Sequence, residues 1–187
     1  VGTYRIDEKD IQDSINFLFS KKEIAGVFAN QLGTYYDMWT LRDAKYCPND
    51  FWAEVLQFLI KNKNADEKIS KNNFEEAKKN IIDKRTYIFE KDHAPILVNS
   101  AFGGFGIYKM KYVIKNQKKY EGTQIIDLET KDKKKLKIKY QKCEHVNFNQ
   151  GLTDQNLKLY ILPNLINRGY VKNIFPPSAA VNLIMKN

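Results

Sequence analysis

Cysteine, arginine and histidine are all scarce in this chain. Two cysteines, Cys47 and Cys143, in 187 residues are too few for a disulfide scaffold. Four arginines beside 27 lysines leave little of the residue that grips phosphates and base edges in bidentate fashion. Two histidines, His93 and His145, are too few for a zinc centre, although Cys143 and His145 have an i, i+2 spacing compatible with ligation. With 9 Gly and 5 Pro the chain is neither collagen-like nor of low complexity. No apolar run approaches the roughly 18 residues of a membrane helix. No basic, apolar, small-residue leader opens the chain, which favours the cytoplasm. Its start on Val1 rather than Met leads us to expect a fragment or a processed product.

What is present is 43% hydrophobic and 13% aromatic residues, enough for one domain over 1–187 with a core. The net charge of +9 is concentrated. Between Lys109 and Lys142 there are 12 lysines against Glu121, Asp127, Glu129 and Asp132. Such a segment attracts phosphates, of nucleic acid or of a nucleotide-sugar. With Tyr108, Tyr112, Tyr120 and Tyr140 interleaved, it allows a module that binds single-stranded nucleic acid. The plainer alternative is a solvated lysine surface, and no recognised nucleic-acid motif accompanies it.

Ile11, Ile15 and Leu18 predict a helix over Asp10 to Ser20, and Pro48-Asn49-Asp50 announces a second, Phe51 to Lys61. A third is expected over Phe74 to Lys84. Strands are expected at Ile24 to Ala29, Ala94 to Asn99, Phe105 to Lys109, around Leu136 to Tyr140, and at Leu157 to Leu162, where Pro163 should stop it. The pattern predicts an α/β fold with a mixed central sheet flanked by helices, in which Ile24–Ala29 and Ala94–Asn99 are neighbours.

Three stretches carry residue types suited to chemistry. The first, Asn30 to Asp43, follows a buried strand, where open α/β sheets place their ligand loops. It combines Tyr35, Tyr36, Asp37, Trp39 and Arg42: aromatic faces for a pyranose and charged hydrogen-bonders for its hydroxyls. The alternative is that Tyr36, Trp39 and Leu41 are core and that Asp37 pairs with Arg42. The second, Asn99 to Gly106, has Gly103, Gly104 and Gly106, which indicate positive φ or a close backbone approach to a ligand, or else a glycine hairpin or bulge. The third, Cys143-Glu144-His145-Val146, sits near the end of an expected strand and offers a carboxylate base beside a metal-ligating imidazole.

Taken in order, YYDMWTLR (Tyr35–Arg42), CPNDFW (Cys47–Trp52), SAFGGFGIYK (Ser100–Lys109) and CEHV (Cys143–Val146) resemble a group of glycosyltransferases of large DNA viruses and microbes. These are similar to the capsule-associated mannosyltransferase family. The resemblance spans roughly Ile24 to Leu152 and implies the C-terminal portion of a GT-A fold. It implies hexose transfer from a nucleotide-sugar donor to a hydroxyl of a glycan or glycoprotein, with Mn²⁺ or Mg²⁺. Glu144 would then be the base near the acceptor hydroxyl, and His145 a metal or diphosphate contact. Asn30, Tyr36, Asp37, Trp39 and Arg42 would hold sugar or diphosphate, and Gly103-Gly104 would let a sugar approach the backbone. The Asp-x-Asp that holds the metal in this fold lies upstream of the region matching Tyr4 to Ser20. Neither Asp7/Asp10 nor Asp10/Asp13 has its spacing, and Asp127-Leu128-Glu129 lies too far downstream. The main metal ligands are therefore expected before Val1.

Overall fold

Ile24–Gln31 (β1) is buried at every one of its eight positions, as only a central strand covered on both faces can be. The computed structural model describes residues 6–85 and 87–168. Around β1 it builds a four-stranded mixed sheet of order β2-β6-β1-β3, from Ile96–Val98 (β2), Gly106–Tyr108 (β3) and Lys158–Asn167 (β6). β6 runs parallel to β1, while β2 and β3 are antiparallel edge strands. A hairpin of Thr123–Glu129 (β4) and Lys135–Gln141 (β5) forms a separate two-stranded sheet.

Helices cover both faces. On one, Leu18 of Glu8–Ser20 (α1) packs with Ile24, Val27, Ala29, Leu162 and Leu165. On the other, Phe28, Leu159 and Ile161 meet Val55 and Leu59 of Phe51–Lys61 (α2), Ala77 of Lys71–Ala77 (α3), and Phe148 and Leu152 of Glu144–Thr153 (α5). A short helix, Met110–Val113 (α4), follows β3. The caps are legible: Asp7 accepts from the Lys9 amide, and Asp50 from the Trp52 and Ala53 amides.

Several expectations shift. Ile24–Ala29 and Ala94–Asn99 share one sheet but are not neighbours, because β6 lies between them. β6 is not stopped by Pro163. The register slips there, so that Phe28–Asn30 faces Ile161–Ile166, and the Asn30 Nδ2 donates to the Pro163 carbonyl at 3.1 Å inside the bulge. A bulge is where a proline, lacking its N–H, fits an inner strand. The third helix begins earlier, at Lys71, because Ser70 and Asn73 form a capping box, and it tightens into a π turn and a 3₁₀ turn through Arg85. Cys143 ends no strand; it is the N-cap of α5. Phe148 and Leu152, four apart and buried, are the helical signal that the preceding strand alternation hid.

Candidate functional site at the carboxyl end of the parallel pair

β1 and β6 run side by side and end together at Gln31 and Asn167, a registered pair. Ligands of open α/β sheets bind beyond such carboxyl ends. Here the ends are crossed by residues 99–105. Although β2 and β3 follow each other in sequence, they lie at opposite edges, so the glycine segment is a crossover and not a hairpin. It is pinned on its way by Arg42, whose amide donates to the Ser100 carbonyl, and by Asn149 of α5, which bonds Ser100 Oγ and the Ala101 carbonyl.

Gly103 is where the elements meet. Its carbonyl accepts from Gln31 Nε2 at 2.7 Å and Asn167 Nδ2 at 3.1 Å, and its amide donates to Asp37 Oδ2 at 3.0 Å. Gly103 and Gly104 have φ of +63° and +77°. A Cβ on Gly103 would lie 2.1 Å from the Ala29 carbonyl oxygen, and one on Gly104 would lie 2.6 Å from Asn167 Nδ2 and 2.9 Å from the Tyr36 hydroxyl. Positive φ and close approach both hold, though the approach is to the protein's own strand ends and to Tyr36.

From Asp37 the network continues outward. Thr40 Oγ1 donates to Asp37 Oδ1 at 2.9 Å and lies 3.2 Å from the buried Cys143 Sγ. Desolvation pushes the Asp37 carboxyl up, opposed by its bonds from Thr40 and Gly103 and by the nearby His145. Burial likewise pushes the Cys143 thiol up. Glu144 and His145 occupy the first turn of α5. The His145 ring stacks on Phe102, with centroids 4.4 Å apart and 16° between planes, and Tyr120 meets it edge-on at 5.2 Å. His145 Nδ1 is buried without a partner, while its Nε2 lies 3.9 Å from a Glu144 oxygen. The Glu144 side chain is half exposed at the rim.

The expected site residues therefore divide. Asp37, Gly103, Gly104 and Tyr36 come together, with Glu144 and His145 joined to them through Cys143–Thr40 and Phe102. Arg42 goes elsewhere: it pairs with Asp50 at 2.5 Å and donates to the carbonyls of Trp39 and Leu41. Asp37 and Arg42 thus form no ion pair, and Arg42 secures the cap of α2 instead of facing the glycine turn. Asn30 is wholly buried, donating to the Phe89 and Pro163 carbonyls, and braces the β6 bulge. Trp39 is partly exposed, its carbonyl held by Arg42. Gln31, Thr40 and Asn167 were not expected at the site. Their one sequence signal is a polar residue closing an otherwise apolar strand or loop.

Among the described residues no group of three or more His, Cys, Asp or Glu side chains is placed to hold a metal ion. His145 offers one imidazole, so these residues do not make a metal centre of their own. No helix among them is long and apolar enough to cross a membrane.

The lysine-rich segment is less uniform than its composition. Lys109 is buried and donates to the Lys21 carbonyl. Lys118 pairs with Asp154 and Lys133 with Glu129, and on the hairpin Lys137 and Lys135 stand opposite Asp127 and Glu129. Leu136, Ile138 and Tyr140 alternate with exposed lysines, as expected for a strand with one wet face.

No family model, curated protein or solved structure matches the chain.

Proposed function

We propose that this chain is the acceptor-side portion of a GT-A-type glycosyltransferase, moving a hexose from a nucleotide-sugar to a hydroxyl of a glycan or glycoprotein. The observation that carries the reading is the chain of contacts Gly103–Asp37–Thr40–Cys143. It joins the SAFGGFG, YYDMWTLR and CEHV segments, the same three on which the resemblance rests, across separations of 66 and 103 residues. Structural roles taken separately give no reason for those three to meet beyond the ends of parallel strands.

In this reading the Gly103-Gly104 turn and Tyr36 line the sugar-binding floor, and Asp37 acts as a positioning residue that fixes the turn. Glu144 takes the proton from the acceptor hydroxyl as that oxygen attacks the anomeric carbon, in an inverting transfer. The divalent ion implied by the resemblance would draw its other ligands from outside the described residues, with His145 as the one candidate among them. A cytoplasmic setting belongs to the same proposal.

The test is a screen of UDP- and GDP-hexoses with Mn²⁺, measuring nucleotide release with and without glycan acceptors. Glu144→Gln keeps the shape and removes the basicity, and should lower turnover by roughly 10²–10⁴-fold with an unchanged melting temperature. Failure of every donor to bind or turn over overturns the reading, and full activity in Glu144→Gln removes Glu144 as the base.

A further inference from the structure

Tyr120 belongs to a segment that α5 holds in place residue by residue. Asn116 Nδ2 donates to the Phe148 carbonyl, Asn147 Nδ2 donates to the Lys119 carbonyl, and Lys118 pairs with Asp154 at 2.7 Å. The Tyr120 ring lies flat on Phe148, with centroids 4.8 Å apart and 6° between planes, and its edge meets His145. One face of the ring is thus covered by core, yet Tyr120 is 54% exposed. The exposure must fall on the opposite face and the hydroxyl end. An aromatic ring clamped at this rim gains nothing for the core from its open side.

We propose that the open face of Tyr120, beside the Glu144 carboxylate, is the subsite that receives a pyranose ring of the acceptor. This rests on the transferase reading and adds a residue and a substrate surface to it. A pyranose presents an apolar C–H face suited to a flat ring and a periphery of hydroxyls suited to a carboxylate. The pairing on the protein matches it. Burial first, and then the negative charge of Glu144, push the Tyr120 hydroxyl up, which sets that carboxylate close to the polar end of the ring. Because the segment is already fixed by Asn116, Asn147 and Lys118, little ordering remains to oppose binding.

The experiment titrates the chain with free mono- to trisaccharides of mannose, glucose and N-acetylglucosamine, read by saturation-transfer NMR. Wild type, Tyr120→Ala and Tyr120→Phe are compared, and circular dichroism confirms their fold. Tyr120→Ala should weaken saccharide binding about tenfold, and Tyr120→Phe should retain it, because the ring face and not the hydroxyl makes the contact. Equal binding by wild type and Tyr120→Ala, equal loss in both variants, or no saccharide binding by wild type overturns the proposal. Nucleotide release, measured separately, tells the two readings apart. Transfer indifferent to Tyr120→Ala sinks the subsite alone. Saccharide binding that needs Tyr120, with no donor turned over, sinks the transferase reading alone.

Discussion

The Asp37 carboxylate accepts the Gly103 amide at 3.0 Å across 66 residues of chain, and that bond fixes a left-handed glycine over the ends of two parallel strands. Neither residue would hold the other without β1 beneath them. Gln31 and Asn167 close the arrangement from the opposite side of Gly103, through its carbonyl.

Gly103→Ala should be far more damaging than Gly33→Ala, although both glycines have positive φ. At Gly33 an added Cβ meets nothing within 4 Å, so the loss is the left-handed strain alone, about 1–2 kcal/mol. At Gly103 the Cβ runs into the Ala29 backbone oxygen, which cannot move without parting β1 from its partners. Urea midpoints of the two variants check this; equal losses would refute it.

Asp37 should make stability depend on pH in an unusual direction for a carboxylate. Desolvation holds its folded pKa above the ordinary 3.8, so the folded state binds the proton more tightly than the unfolded one. The contribution is full below that value and is lost as pH rises through the folded pKa. Asp37→Asn cannot titrate. The stability of wild type relative to this variant should therefore decline between about pH 3.5 and pH 7, as read from urea melts. A difference independent of pH would refute it.

Arg42→Leu should destabilise by about 3 kcal/mol, because it leaves the Asp50 carboxylate poorly exposed and unpaired. The double variant Arg42→Leu/Asp50→Asn should recover part of that loss, since the orphan charge is gone. A double-mutant cycle measures the coupling. Nucleotide-sugar affinity, normalised to folded protein, should be unchanged.

Neutralising Lys133, Lys134 and Lys135 together should alter stability by only a few tenths of a kcal/mol. All three are exposed: Lys133 and Lys134 are in the β4–β5 turn and Lys135 opens β5. Thermal melts report the stability. A large loss of oligonucleotide affinity from the same change would instead promote nucleic-acid binding.

The fold was legible wherever one residue's neighbours decide its state. Asp50 and the apolar spacing of Phe51, Val55 and Leu59 mark α2 to the residue, and β1 stands out as an unbroken small and apolar run. β6 was only half legible, because Pro163 ends a strand by local rules and the bulge that admits it depends on Asn30, 133 residues away. α5 was hidden because Lys137 to Cys143 continues a period of two up to its first turn. At the site, Asp37, Tyr36 and the two glycines stood out by type. The sequence cannot show that Arg42 prefers Asp50, eight residues on, to the nearer Asp37. Nor can it show that Gln31 and Asn167 share one carbonyl.

The pairing of β1 with β6 has a consequence for how the chain is made. β1 is complete early, yet its parallel partner begins at Lys158, after most of the chain. At ribosomal rates of about 5–20 residues per second, that wait is on the order of ten seconds. For its duration a strand with apolar side chains on both faces has nothing to lie against on its β6 edge. The newborn polypeptide is thus most prone to clumping in this interval, and chaperone capture during translation should centre on Ile24–Gln31.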